Sequence, residues 1–411
     1  MSTYRSELMR VLESRGYIHQ TTDAQGLDEA AAIGVVPGYI GFDATAPSLH
    51  IGSLVQIMML RHLQRTGHKP IVVMGGGTTK IGDPSGKDAS RQMLDADAIA
   101  ANIAGIRTVF ERLLTFGDGP TDAVLVDNAE WLDELGYIEL LREVGPHFTV
   151  NRMLTFESVK RRLDREQPLT FLEFNYMILQ AYDFRELAQR YDCRLQMGGS
   201  DQWGNIVNGM ELARRMDGKQ LFGLTTDLLT TADGAKMGKT AAGAVWLNEG
   251  ALPTYDFWQY WRNVDDRDVG RFLKLFTDLP LDEIARLEAL EGAEINDAKV
   301  ALANAVTTLV RGENAAKAAE ATAGQTFAGT GLGDDLPELA IPADGIRIGA
   351  ALTELGFVAS GKEAKRKLAE SAVKIDGSAI TDAGYVVSLE PGAEARLSSG
   401  KKRHARLVAG D

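Results

Sequence analysis

Between Tyr39 and Leu54 the chain reads YIGFDATAPSLHIGSL, and no other stretch limits its fold as much. A strand-like run enters a proline-containing loop, and His50-Ile51-Gly52-Ser53 then opens a helix. Apolar residues at 54, 57, 58, 60 and 63 predict that this helix is buried mostly on one side, with Gly67 as its stop. Short runs rich in β-branched residues follow at 71–74 (IVVM) and 123–126 (AVLV), with helical patterns between and around them. Strands alternating with helices predict an α/β fold with a parallel sheet. A helix start offers unpaired N–H groups and partial positive charge, which suits a phosphate. Gly52 would let such a ligand approach the backbone, and His50 could donate to a phosphate or ribose oxygen. Taken alone, a histidine at a helix start more often only packs there.

From about 250 to 316 the pattern turns mainly helical, as in DDRDVGRFLKLF and DAKVALANAVTTLV. Residues 313–345 are rich in Ala, Gly and Pro with weak periodicity, and read as a linker. Residues 346–411 carry helix and strand signals of their own. No internal repeat is visible. The chain's 411 residues suffice for two or three domains. The longest membrane-span candidate, residues 30–42, falls short of the roughly 20 residues a spanning helix needs. It is also broken by Gly34, Pro37 and Gly38. The N-terminus MSTYRSELMR lacks the apolar core of a signal peptide, so a cytoplasmic protein with no membrane partner is expected. Cys193 is the sole cysteine, which excludes an intrachain disulfide and a cysteine-built zinc site. The net charge of −13 argues against a non-specific nucleic-acid coat. Residues 341–411 nevertheless carry a net +2, against −15 for the remainder, which suggests a module for an acidic partner.

Further motifs carry chemistry. Gly234-Ala235-Lys236-Met237-Gly238-Lys239-Thr240 sets two lysines three apart among small residues, as a loop bringing ammonium groups to a polyphosphate would. By itself it could equally be a solvated basic turn. GDPSGK at 82–87 is no P-loop, because Ile81 occupies the required first glycine position and Asp88 follows Lys87. In FNYMILQAYDF, Tyr176, Gln180 and Asp183 fall at i, i+4 and i+7, hence on one helix face. Apolar neighbours surround that helix, and buried polar groups need partners. The partner is either a small polar ligand or an internal hydrogen-bond network.

The first two motifs, in this order, resemble the HIGH and KMSKS signatures of class I aminoacyl-tRNA synthetases. With GDPSGK, FNYMILQAYDF and CRLQMGGSDQWGNI, the chain resembles the bacterial tyrosyl-tRNA synthetases from near residue 30 to its C-terminus. One departure stands out: Ser53 occupies the place of the second histidine of HIGH. The resemblance implies a Rossmann-like catalytic domain over 1–245, a helical domain over 246–316, a linker over 317–345 and an α+β S4-like RNA-binding domain over 346–411. It implies that Tyr39 and Asp183 hold the phenolic hydroxyl of tyrosine, that Asp83, Tyr176 and Gln180 hold its ammonium, and that Gln202 lies near its carboxylate. Gly41, Asp43, Gly52, Ser53, Gly199 and Asp201 would meet ATP, with Thr45 and His50 at its phosphates. Lys87, Arg91, Lys236, Lys239 and Thr240 would grip the departing pyrophosphate. In the tail, IGAALTELGFVASGKEAKRKLAESAVKIDG resembles the S4 fold, and Val373–Gly377 reads as a strand and turn. There Lys362, Lys365, Arg366, Lys367, Lys401, Lys402 and Arg403, extended by Arg406, would meet tRNA phosphates.

The implied reaction joins L-tyrosine to tRNA(Tyr) through tyrosyl-adenylate. ATP is a substrate that brings its own Mg2+, with no tightly bound cofactor and no metal held by protein ligands. A homodimer is implied. A tryptophan ligase would share the fold and signatures, but Asp183 and the S4-like tail favour tyrosine. A non-catalytic RNA-binding paralogue would have no reason to keep His50, Lys236, Lys239 and a complete amino-acid pocket.

Overall fold

The computed structural model describes residues 3–83, 94–235, 237–240, 243–328, 336–400 and 403–410. The chain packs as two units, residues 1–230 with 274–276, and residues 231–273 with 277–411.

The first unit is built on a six-stranded sheet: β1 (Gln20–Thr21), β2 (Pro37–Phe42), β3 (Lys69–Met74), β4 (Val124–Asp127), β5 (Leu195–Gly199) and β6 (Phe222–Thr226). The spatial order is β1-β6-β5-β2-β3-β4, with only β1 antiparallel. The chain runs from β2 outward to β4 and then returns to the other side of β2. The order therefore reverses between β2 and β5, the place where open α/β sheets leave a crevice at the carboxyl ends of their strands. Gly41, near the end of central strand β2, is exposed, and a Cβ there would meet nothing within 4 Å.

The two β-branched runs form β3 and β4 as expected. The first motif helix is Ile51–Arg65, buried nearly all round, and Gly67 follows at φ +86°, a left-handed geometry that glycine adopts without strain. The Phe171–Arg190 helix starts on a capping box in which Thr170 and Glu173 satisfy each other's backbone donors. It packs against the Trp203–Asp217 helix, where Gly209 gives room to Phe184.

In the second unit, β7 (Lys239–Thr240) and β8 (Gly243–Ala244) form a short hairpin, preceding helices that include Thr254–Arg262 and Ile295–Arg311. The unit begins at Thr231 and not after residue 245. The Ala232 N–H donates to the Asp268 carboxylate at 2.8 Å, and Arg267 pairs with Asp233 at 2.6 Å.

The expected linker is largely not one. Glu313–Ala328 is a helix, with Ala316, Ala319 and Ala323 buried and Asn304 bonded to Glu320 at 2.9 Å. Small alanines on one face give close helix packing but no strong apolar periodicity, which is why the composition read as a linker. The C-terminal sheet also starts earlier than residue 346, because β9 (Glu338–Ile341) pairs in parallel with β15 (Arg403–Ala409). The sheet order is β12 (Ser378–Ala379), β11 (Val373–Ile375), β14 (Glu394–Ser399), β15, β9, beside a separate pair of β10 (Ile346–Arg347) and β13 (Val386–Val387). Asp376 and Gly377, both at positive φ, make the tight turn that ends β11. A core including Ile348, Leu352, Leu368, Leu397 and Leu407 closes this sheet against the helices Ile348–Glu354 and Gly361–Ala369.

Candidate active site

The carboxyl ends of β2 to β5 bring together residues that lie far apart in sequence. Asp183, in the Phe171–Arg190 helix, is buried. Its Oδ2 accepts from Asn128 Nδ2 at 3.0 Å and its Oδ1 from Trp131 Nε1 at 2.7 Å. Burial pushes its pKa up to about 7. The two donors pull it back down, while Asp43 and Glu186 add to the rise. Tyr39 lies in the same buried cluster as Trp131, its ring edge-on to Phe184 at 5.2 Å. The Tyr39 hydroxyl is buried with no hydrogen-bond partner among the described residues, and burial, then the Asp183 charge, hold its pKa well above the usual phenol value. Gln196 stands beside Tyr39 in register across β2 and β5, and its Oε1 is likewise buried without a partner among the described residues.

The second cluster joins three of the expected tyrosine ligands. Gln202 Nε2 donates to Asp83 Oδ2 at 3.0 Å, while Asn205 Nδ2 bridges Gln180 Oε1 at 2.8 Å and Gln202 Oε1 at 3.1 Å. The Tyr176 hydroxyl stands 3.4 Å from both oxygens of Asp43, linking this face of the helix to the end of β2.

The first motif departs in one respect from its sequence reading. His50 is the N-cap of Ile51–Arg65, and its Nδ1 accepts from the Gly52 N–H at 3.0 Å. The Ser53 N–H goes to the His50 carbonyl at 2.8 Å. These two N–H groups are therefore not open to a phosphate, because the cap residue satisfies them. With Nδ1 accepting, the neutral ring carries its proton on Nε2. Thr45 is exposed, and the loop beneath it is held by Ala44 N–H to Thr79 Oγ1 and Asn102 Nδ2 to Ala44 O, both 2.8 Å. Gly199 ends β5, where a Cβ would come within 2.8 Å of Asp201 and 3.4 Å of Gln56 on the Ile51–Arg65 helix. The expected adenosine-side residues thus border the first motif.

Of the expected pyrophosphate residues, Lys87, Arg91 and Lys236 lie outside the described residues, and only the backbone of Lys239 and Thr240 is described. That backbone belongs to the second unit, with Gly234 and Gly238 at positive φ and Val245 N–H closing on the Gly238 carbonyl at 3.0 Å.

In the tail, Lys362, Lys365 and Arg366 are exposed on one short helix. Lys367 and Arg403 are turned inward instead. Lys367 Nζ reaches Phe357 O at 3.3 Å, and the Arg403 guanidinium donates to Gly356 O at 3.2 Å and to Phe357 O. Arg406 pairs with Glu338 at 2.6 Å. The carbonyls behind the Ile348–Glu354 helix and a neighbouring strand's acid take these cations, which residue counting cannot see. Lys401 and Lys402 lie outside the described residues.

The sequence reading missed Thr78, Asn128, Trp131, Gln196 and Asn205. The signal for the first was Gly75-Gly76-Gly77 directly after a buried strand, a sign of close backbone approach. A Cβ on Gly75 would come within 2.5 Å of Asp43 Oδ1 and of Thr78 Oγ1, and one on Gly76 within 2.2 Å of Asp127.

Residues 35–328 match the family model described as tRNA synthetases class I (W and Y). The chain is 71% identical over 407 residues to the tyrosine–tRNA ligase of Novosphingobium aromaticivorans, covering 99% of both chains. It is 62% identical to that of Zymomonas mobilis over the whole of both. Among solved structures it resembles a C-terminally truncated Aspergillus nidulans mitochondrial tyrosyl-tRNA synthetase, with a TM-score of 0.71 and 28% identity over 78% of this chain and 94% of that one. An Aeropyrum pernix tryptophanyl-tRNA synthetase shares the fold at a TM-score of 0.53 and 16% identity, over 77% of this chain and 90% of that one. With its sheet reversing at β2/β5 and its polar residues gathered there, this chain belongs to the tyrosine–tRNA ligases of the class I tRNA synthetase family.

Proposed function

We propose that the crevice at the ends of β2 and β5 takes L-tyrosine with its phenol between Tyr39 and Asp183. Its ammonium meets Asp83, Tyr176 and Gln180, and its carboxylate lies near Gln202. One observation carries this orientation. A buried hydroxyl without a described partner sits in the same cluster as a buried carboxylate whose oxygens are each fixed by one donor. Together they offer one donor and one acceptor, the complement of a single ligand hydroxyl. ATP, as its magnesium complex, lies over Gly41, Asp43, Thr45, His50, Ser53, Gly199 and Asp201.

The tyrosine carboxylate attacks the α-phosphorus, pyrophosphate leaves, and tyrosyl-adenylate forms. A terminal ribose hydroxyl of tRNA(Tyr) then attacks the acyl carbon and AMP departs. No side chain forms a covalent bond. The chain's residues act by positioning and by stabilising charge as it develops. Lys87, Arg91, Lys236, Lys239 and Thr240 meet the negative charge moving onto pyrophosphate, an interaction stronger in the transition state than in the ground state.

The motifs up to Thr240 supply the chemistry in this reading, a run of helices follows, and the S4-like tail holds tRNA through Lys362, Lys365 and Arg366. The protein works in the cytoplasm as a homodimer. Tyr137, Ile138, Val150, Leu163 and Phe171, all between β4 and β5 in sequence, are large apolar side chains left exposed, and a partner surface that covers them supports the homodimer. Tyrosine-dependent exchange of pyrophosphate into ATP tests the core of the reading. Exchange that phenylalanine supports equally well would overturn it.

A further inference from the structure

Asp183, at the phenol end of the proposed tyrosine site, and Asp43, on the ATP side beside Tyr176, are joined through two residues that no sequence motif marked. Asn128 Oδ1 accepts from the Gly77 N–H at 2.8 Å, so the amide cannot be turned round and its Nδ2 must face Asp183 and Thr78. Nδ2 donates to Asp183 Oδ2 and to Thr78 Oγ1, each at 3.0 Å. A hydroxyl has one proton. Because Thr78 Oγ1 receives from Asn128, its own proton goes to Asp43 Oδ1, also at 3.0 Å. Every member has its polarity dictated by the backbone N–H at one end. Thr78 is buried, and Gly75 leaves the space in which the Thr78–Asp43 bond forms.

Resting on the reading that this crevice takes tyrosine, we infer that Thr78 is a positioning residue for both carboxylates. Its hydroxyl ties Asp43 to the Asn128 amide that holds Asp183, so the carboxylate at the phenol end and the one beside Tyr176 belong to one hydrogen-bonded unit. Thr78 touches no reacting atom. It acts by accepting the second amide proton of Asn128, whose orientation the Gly77 N–H fixes, and by holding the Asp43 oxygen near Tyr176. The charges around Asp183 are the Asp43 and Glu186 carboxylates and, over the Trp131 ring at 5.3 Å, the Arg190 guanidinium. Tyr39 faces it from β2. Without the Thr78 hydroxyl, one buried Asn128 amide proton loses its acceptor, the amide shifts to find another, and the bond that favours the ionised form of Asp183 weakens.

The test compares full-length wild type with Thr78→Val and Thr78→Ser. Tyrosine- and phenylalanine-dependent pyrophosphate exchange would be measured between pH 5.5 and 8.5. Thr78→Val should lower the tyrosine-to-phenylalanine preference by about tenfold, the weight of one net hydrogen bond. It should also move the acid limb of tyrosine activation to higher pH. Thr78→Ser should restore both. Gly75→Ala, which crowds the same bond from the other side, should reproduce the Val signature if Thr78→Val does not accumulate as folded protein. A Val variant that merely melts earlier, with wild-type preference and pH midpoint, overturns the inference, as does a Ser variant no better than Val. Those outcomes leave the tyrosine reading standing. A wild type whose exchange ignores tyrosine would sink both.

Discussion

The amino-acid crevice and the C-terminal basic helix are both polar, yet they are built on opposite principles. In the crevice Asp183 is buried with a donor on each oxygen, and residues just after β2, β3 and β4 share one network with the Phe171–Arg190 helix. On the Gly361–Ala369 helix, Lys362, Lys365 and Arg366 point into solvent and can act as a sum of charges. Losing a buried partner costs the desolvation of whatever is left unpaired, whereas losing one solvated cation costs little. Specificity belongs to the first arrangement and adjustable affinity to the second.

The comparison breaks most visibly at Asp183. Asp183→Ala removes an acceptor and leaves the Trp131 and Asn128 donors unpaired, so tyrosine activation should fall roughly 100-fold while phenylalanine activation changes far less. Pyrophosphate exchange with each amino acid reads this out, and an unchanged ratio would place hydroxyl recognition elsewhere. Lys239→Ala should have an effect of similar size but different kind. A lost transition-state charge contact, worth about 3 kcal/mol, slows adenylate formation about a hundredfold with little change in tyrosine affinity. Pre-steady-state kinetics separate the two, and weakened tyrosine binding at an unchanged rate would contradict the assignment.

A smaller effect comes from pH. Asp183 sits near 7 because burial penalises its charge. The tyrosine hydroxyl donates to the ionised form, so the tyrosine Kd should rise about tenfold between pH 8 and pH 6, and a calorimetric titration would show it. Stability has the opposite sign. A carboxyl whose folded pKa is raised contributes stability that is present below its unfolded value and lost as pH rises through 7. Asp183→Asn should therefore stabilise the unliganded protein more at pH 8 than at pH 5, by thermal melting. A pH-independent difference would mean that Asp183 does not titrate there.

The smallest expected effect sharpens the other half of the comparison. Lys362→Ala or Lys365→Ala should weaken tRNA binding only a few-fold and lower its salt slope by at most about 1. Arg403→Ala, whose guanidinium binds the Gly356 and Phe357 carbonyls, should instead lower the tail's thermal stability. Equal salt-slope changes for Lys362, Lys365 and Arg403 would show that burial does not sort these cations.

The order of local patterns made much of this legible. The β3 and β4 runs, the Ile51–Arg65 helix and the i, i+4, i+7 face of Tyr176, Gln180 and Asp183 are short-range features, and periodicity reports them directly. The resemblance then supplied roles for residues already in view. The Glu313–Ala328 helix escaped because its buried stripe is alanine, which carries little hydrophobic signal. The inward turn of Lys367 and Arg403 escaped because a lysine or arginine reads as solvated until a carbonyl is placed beside it.

By itself, then, the sequence determined the α/β class, the helix on which the first motif sits, and which polar residues share a face, because spacing along one element sets all three. Only the tertiary structure decided that His50 caps its own helix. It alone decided that Trp131 and Asn128 fix Asp183, and that Thr78 joins Asp183 to Asp43. Each of those depends on a hydrogen bond's direction and on burial, and across the sheet both are set by which strand ends become neighbours. The reversal of strand order at β2 and β5 sets that, and it has no trace in any local run of residues.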